Sequence, residues 1–120
     1  MIIGATYSHI QTGYLGLDHK EIFPHLLDFG FDIIRIAAYW NEIEKSKGDF
    51  NYSMIKSMLM EFEKQNQNIV VTVGIKAPRW PEFYIPGWLE NKTLEEIEPY
   101  VLMFIEKTVN ELRDFRCIKY

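Results

Sequence analysis

The sequence predicts an α/β fold with parallel strands, and three observations predict it. Apolar, β-branched runs recur at Ile2–Ser8, Asp32–Tyr39 and Ile69–Lys76, the second and third nearly continuous in apolar residues, as strands buried on both faces require. Between and after them lie segments whose apolar residues recur at i, i+3, i+4 and i+7, the period of an amphipathic helix. Trp40, Trp80 and Trp88 fall just beyond the ends of the second and third runs, in segments that also carry Arg35, Tyr39, Lys76, Pro78 and Pro81. That is where a parallel sheet places its ligands.

Taken in order, Ile2–Ser8 is a first strand, followed by a glycine-containing loop over Gln11–Leu17. Asp18 and Glu21 have the spacing of a capping box, and Phe23, Leu26 and Leu27 give the next helix its apolar face before Gly30, suited to the left-handed position after a helix. Pro24 lacks an amide hydrogen and clashes with the preceding turn, so the helix is expected to begin near Phe23 or to kink there, with 18–22 as a separate turn. The second strand is Asp32–Tyr39. Asn51 or Ser53 then caps a helix in which Ile55, Met58, Leu59 and Phe62 form one stripe while Glu61, Glu63 and Lys64 lie off it. Ile69–Lys76 is the third strand, and the Pro78–Pro86 stretch is too rich in proline to continue it. Thr93 and Glu96 repeat the capping-box spacing ahead of a longer helix marked by Ile97, Val101, Phe104, Ile105, Val109 and Leu112, with Pro99 early in it. Cys117–Tyr120 opens a fourth strand.

The order β-α-β-α-β-α-(β) implies right-handed crossovers. It leaves two architectures: a small open sheet, or the N-terminal part of a (β/α)8 TIM barrel. The loops favour the barrel. Nucleotide-binding open sheets place a short glycine-rich turn after the first strand, but here that loop is long and Gly13 and Gly16 fit no phosphate-binding spacing. Long loops after strands and short returns (Gly30-Phe31, and Gln65 to Asn68) are the asymmetry of a barrel with one working face.

Composition narrows the function. With 120 residues, 48% apolar and 25% charged, the chain is sized for a single domain or, as expected here, part of one spanning 1–120. A formal charge of −4 and a pI near 5.4, with scattered Lys and Arg, argue against nucleic acid or an anionic membrane as partner. Cys117 stands alone, so no internal disulfide forms, and no HExxH or CxxC spacing supports a metal site. No cofactor is expected. MIIGATYSHI has neither a basic leader nor a signal-length apolar run, so a cytoplasmic location is expected.

The stretch Arg35-Ile-Ala-Ala-Tyr-Trp40-Asn-Glu-Ile-Glu44, followed by Lys47-Gly48-Asp49-Phe50-Asn51-Tyr52-Ser53, resembles the second-strand signature of (β/α)8 retaining glycoside hydrolases of the β-galactosidase and cellulase-like clan. Gly74-Ile-Lys76-Ala-Pro78-Arg-Trp80-Pro81 is similar to the clan's third-strand loop, where a Pro-x-Trp element lines the sugar cleft. The resemblance covers essentially the whole chain. It implies carbohydrate as partner and a pair of carboxylates about 5 to 5.5 Å apart in the parent enzyme, one after the fourth strand and one after the seventh. Both fall past Tyr120, so no catalytic residue is assigned within this chain, which is expected to be inactive alone and prone to self-association.

The expected substrate-binding residues are Tyr7, His9, Arg35, Tyr39, Trp40, Lys76, Trp80 and Trp88. The resemblance implies that Arg35, read as lying toward the C-terminal end of its strand, holds the nucleophile's oxygens; the bland alternative is a buried charge satisfied within the sheet. Trp40 is either a cleft wall or a core plug beneath it. Trp80 and Trp88, in a proline-stiffened loop, are placed to stack on a sugar. Lys76 is a hydroxyl donor or an ordinary surface cation, and His9 a hydroxyl-binding group beside Tyr7. His19 and His25 read as surface or packed residues, Cys117 as a small buried hydrophobe, and Glu42 and Glu44 as structural or solvated. A complete small α/β domain that binds carbohydrate without cleaving it, or an interaction domain whose aromatic loops meet a protein, is the alternative function.

Overall fold

The computed structural model describes residues 1–76 and 82–120. Three strands, β1 (Gly4–Thr6), β2 (Ile33–Tyr39) and β3 (Asn68–Gly74), form one sheet in the order β1-β2-β3, and both pairings are parallel. Strands consecutive in sequence are neighbours in space. That is the progression of a barrel, whereas a doubly wound sheet reverses its strand order at a switch point. The fourth strand opens as expected: Ile118 bridges Ile69 in parallel, and the amide of Val71 donates to the Tyr120 carbonyl at 3.0 Å.

Five α-helices and a short 3-10 helix (Gly87–Leu89) accompany the sheet among the described residues: α1 (His9–Tyr14), α2 (His19–Asp28), α3 (Trp40–Ile43), α4 (Ser53–Lys64) and α5 (Leu94–Leu112). The stripe on α4 is the one its periodicity predicts, with Ile55, Met58, Leu59 and Phe62 buried. Its N-cap residue is Tyr52, and the Asn51 side chain accepts from the Ser53 amide at 3.0 Å. On α5 the capping box forms in full: Glu96 accepts from the Thr93 amide at 2.8 Å while the Thr93 hydroxyl accepts from the Glu96 amide at 3.3 Å. Gly30, at φ 79°, takes the left-handed turn after α2 that a side chain would strain.

Several elements differ from the expectation. Gln11–Leu17 is not all loop, because Ser8 caps a short helix by accepting from the Gln11 amide at 3.2 Å; Gly13 inside it masked the pattern. Helix α2 begins at His19, capped by Asp18 through the Lys20 amide at 2.8 Å, and runs on through Pro24 rather than starting at Phe23. Pro24 and Pro99 each occupy the sixth position of their helix, α2 and α5. The lost backbone bond is offset there by a side-chain cap at the N-terminus and by the burial of Phe23 and Ile97. Strand β3 stops at Gly74, whose φ of 132° turns the chain out of the sheet. Val109, expected on the apolar face of α5, is exposed beside Val71, Val73 and Tyr120 along a groove of about 310 Å³ at the open edge of β3.

The core lies on one side of the sheet. Ile34, Ile36 and Ala38 of β2 and Ile69 of β3 pack against Phe23 of α2, the α4 stripe and Ile97, Phe104 and Leu112 of α5. Side chains alternate across a strand, so Arg35, Ala37 and Tyr39 point to the opposite face, in register with Thr6 on one side and Val70, Thr72 and Gly74 on the other.

Candidate functional site

The loops after the three strands converge at the C-terminal end of β2, and long-range contacts hold them there. The loop after β3 turns back at an antiparallel bridge between Lys76 and Phe83, then follows with the Tyr84 amide donating to the Ile75 carbonyl at 2.9 Å. The Tyr84 carbonyl accepts from the Asn41 amide at 3.2 Å, tying the same loop to α3. Tyr84 thereby covers Ala37 and Tyr39, with Ile10 from α1 beside them, and the two tyrosine rings lie 4.5 Å apart.

Around this pair the polar groups are ordered by hydrogen bonds. The Tyr39 hydroxyl donates to Ser8 Oγ at 2.6 Å. His9 stands edge-on to Tyr39 at 5.5 Å and 6.1 Å from the His19 ring, and His19 Nδ1 shares a 2.6 Å hydrogen bond with the Tyr7 hydroxyl. Gln11 Nε2 donates to both oxygens of Glu82, at 3.3 and 3.1 Å, and the Tyr84 hydroxyl donates to the same carboxylate. A groove of about 310 Å³ adjoins the cluster, lined by its His9 and Tyr39 and by Glu42, Lys45, Asp49 and Asn51. That volume is at the lower end of small-molecule sites, which span roughly 300–1,000 Å³.

Burial tunes these groups toward their neutral forms. It lowers the pKa of His9, an effect reinforced by the charge of His19 and opposed by Glu42, and it lowers that of His19 against the pull of Asp18. It raises the phenols of Tyr7 and Tyr39, while Tyr84, buried and hydrogen-bonded to the Glu82 carboxylate, is pushed up to about 12. Near pH 7 the cluster therefore offers neutral imidazoles, phenol hydroxyls, an amide and a carboxylate. Such a set recognises hydroxyl groups better than charged ligands.

The structure brings together Tyr7, His9 and Tyr39 of the expected residues and separates the others. Trp40 is fully buried on the helix side, its ring stacked on Phe104 at 5.4 Å. It packs as a core plug in this chain. Trp88 is half-buried and set edge-on to Trp40 at 6.4 Å, so the helix side claims this ring too. Both indoles are anchored by Glu44, whose carboxylate accepts from Trp40 Nε1 at 2.7 Å and whose carbonyl accepts from Trp88 Nε1 at 2.9 Å. Glu44 is thus structural; Glu42 is exposed, 3.9 Å from Lys45. Arg35 is the third of the seven residues of β2, in the first half of the strand, and its exposed side chain donates to Thr6 Oγ1 at 3.2 Å. Lys76 is exposed, 5.8 Å from the centre of the Phe83 ring. Trp80 lies outside the described residues.

Sequence reasoning missed Ser8, Gln11, Glu82 and Tyr84. Nothing local announces the last three, because Gln11 and Glu82 meet only through tertiary structure, 71 residues apart. Among the described residues no group of acidic, histidine or cysteine side chains could hold a metal ion, and no helix is long and apolar enough to cross a membrane.

No family model and no curated protein matches this sequence. Solved structures do match it. The exo-β-1,4-mannosidase Op5Man5 from Opitutaceae bacterium strain TAV5 is similar at a TM-score of 0.69 and 15% identity, over 96% of this chain and 22% of that one. A β-glucosidase from Exiguobacterium marinum is similar at 0.62 and 20%, over 81% and 22%. GH5_18 from Streptomyces cattleya, solved in complex with GlcNAc, is similar at 0.69 and 14%, over 98% and 32%. At these identities the likeness is one of fold, and the chain spans between about a fifth and a third of the length of each protein. Its parallel strands, taken in sequence order with their helices, have the architecture of part of a (β/α)8 TIM barrel of the kind found in glycoside hydrolases.

Proposed function

We propose that the chain is one part of a glycoside hydrolase catalytic domain, and that the loops after β1, β2 and β3 form one wall of its sugar cleft. The observation that carries this reading is the gathering of neutral hydroxyl-binding groups, His9, Tyr39, Tyr84 and Gln11 with Glu82, at the strand ends of a partial barrel. Strand ends are where barrels of this type work. Chains named as a mannosidase and a glucosidase share the fold, which supports a sugar as ligand.

The chemistry in such a domain is a two-carboxylate hydrolysis: one carboxylic acid protonates the leaving oxygen while a carboxylate about 5 to 5.5 Å away displaces it at the anomeric carbon, and water, deprotonated by the first group, then hydrolyses the glycosyl ester and frees the second. This chain contributes binding and orientation. Glu44 is committed to Trp40 and to the Gly48 amide, and Glu42 is solvated, so neither is assigned to the reaction. Arg35, exposed on the face opposite the core and paired with no carboxylate among the described residues, is suited to hold an ionised carboxylate from elsewhere in the domain by two parallel hydrogen bonds.

The test is a panel of aryl glycosides given to the full-length gene product that contains these residues. Release of the aryl group with retained anomeric configuration is expected, together with a loss of at least a hundredfold in kcat/KM for Arg35→Ala. Sugar binding without any cleavage would support a binding module instead. The 120 residues alone are expected to associate, because the β3 edge groove and Ile2 and Ile3 beside β1 expose apolar surface. A sedimentation coefficient independent of concentration would refute that.

A further inference from the structure

The groove of about 310 Å³ beside the Tyr39–Tyr84 pair starts at His9 and Tyr39 and runs outward past Glu42, Lys45 and Asp49 to Met54 in the first turn of α4. Two of its polar groups are open. His9 is half-buried and meets the rings of Tyr39 and His19 edge-on, and neither of its ring nitrogens has a hydrogen-bond partner among the described residues. The exposed carboxylate of Asp49 has none either. Glu42 and Lys45 stand 3.9 Å apart with both side chains substantially in water, so each keeps hydrogen-bonding capacity for a ligand. The Tyr39 hydroxyl gives its hydrogen to Ser8 and can still accept.

We propose that this groove is a second sugar subsite, continuous with the cleft through His9 and Tyr39, and that the substrate is a neutral oligosaccharide of at least two units rather than a single sugar. A half-buried imidazole with both nitrogens unpaired has lost part of its hydration and gained no bond in return, a deficit that a ligand hydroxyl removes. Burial holds the ring neutral near pH 7, so it presents one donor and one acceptor, the combination a hydroxyl matches. Farther out, Asp49 accepts from hydroxyls of the second unit and Lys45 donates to them, while Met54 offers apolar surface to its C–H face. A sugar acid in the groove would meet two carboxylates and one ammonium, so charge selects against it. An apolar unit would leave His9 and Asp49 unmatched.

This rests on the carbohydrate reading of the strand ends, and the experiment separates the two. The full-length protein is titrated by calorimetry with the methyl β-glycosides of glucose and mannose and with those of S-linked cellobiose and β-mannobiose, which resist cleavage. At least one disaccharide is expected to bind roughly tenfold or more tightly than its monosaccharide. In Asp49→Ala, an exposed position where folding is retained, that ratio should fall to within a few-fold. His9→Ala should lower it as well, reading the inner end of the groove independently. Equal affinities for one and two units in the wild type, or a ratio that either folded variant leaves unchanged, overturn the proposal. Tighter disaccharide binding that both variants reduce, without cleavage of aryl glycosides, overturns the hydrolase reading and leaves the subsite standing. Cleavage with no preference for two units does the reverse, and failure of every glycoside to bind removes both.

Discussion

The two faces of this sheet are built by the same strands and end in opposite states. On the helix side Ile34, Ile36 and Ala38 are almost wholly excluded from water, together with Ile69 of the next strand. On the other side Thr6 and Arg35 are exposed, and Ala37 and Tyr39 are buried only where Tyr84 and Ile10 fold over them. The helix face is completed by elements adjacent in sequence, each bringing its own apolar stripe. The opposite face is completed only at its loop end, by contacts that span the chain. Stability should therefore reside on the first face and recognition on the second.

The sharpest way to break that comparison is to cut into the helix face. Phe62 is fully buried against Phe23, with ring centres 5.2 Å apart, so Phe62→Ala should cost about 3–5 kcal/mol through lost burial and the cavity left behind. The midpoint of urea unfolding reads it. A loss under about 1 kcal/mol would mean that this face is not the seat of the core.

Glu44 tests the boundary between the faces. It is 4% exposed, and its carboxylate satisfies both the Trp40 indole and the Gly48 amide. Glu44→Ala strands a buried indole N–H and should cost about 1–3 kcal/mol, with a shift in tryptophan emission as water reaches the ring. A catalytic Glu44 would instead leave stability intact and abolish activity.

What was legible in the sequence follows the same division. The stripe Ile55, Met58, Leu59, Phe62, the Thr93–Glu96 capping box and the parallel strands are local patterns, and local patterns survive folding when the helix side is generated by neighbours in sequence. Even Trp40 was within reach: Ile34, Ile36 and Ala38 alternate onto the core face, and Trp40 continues their parity, whereas Arg35, Ala37 and Tyr39 belong to the other face. The Gln11–Glu82 junction was not legible, because it depends on where a loop returns after leaving β3. Helix α1 was hidden by Gly13, and the start of α2 by the weight given to Pro24 over the Asp18 cap.

The loop end of the second face should respond to acid. His9 and His19 have pKa values held below the ordinary 6.5, chiefly by burial, so the unfolded chain binds protons more readily than the folded one. Stability from these groups is then fully present above about pH 6.5 and declines as pH falls from there toward their folded values. Unfolding midpoints measured at pH 7.5 and 5.5 should differ less in the double variant His9→Gln, His19→Gln than in the wild type. An equal difference in both proteins would show that the loss arises from carboxylates elsewhere.

The smallest effect is expected where the two faces are closest in sequence. Arg35 sits between Ile34 and Ile36, yet its exposed side chain contacts Thr6 Oγ1 at 3.2 Å and no carboxylate among the described residues. Arg35→Ala should therefore leave the unfolding free energy of this chain within about 0.5 kcal/mol of the wild type, as surface substitutions do. If instead the variant loses more than about 2 kcal/mol, Arg35 is holding the sheet together and its guanidinium is no longer available to orient a carboxylate from elsewhere in the domain. A neutral result in stability, joined to the large loss of kcat/KM expected in the full-length protein, would separate binding from folding at a single position of one strand.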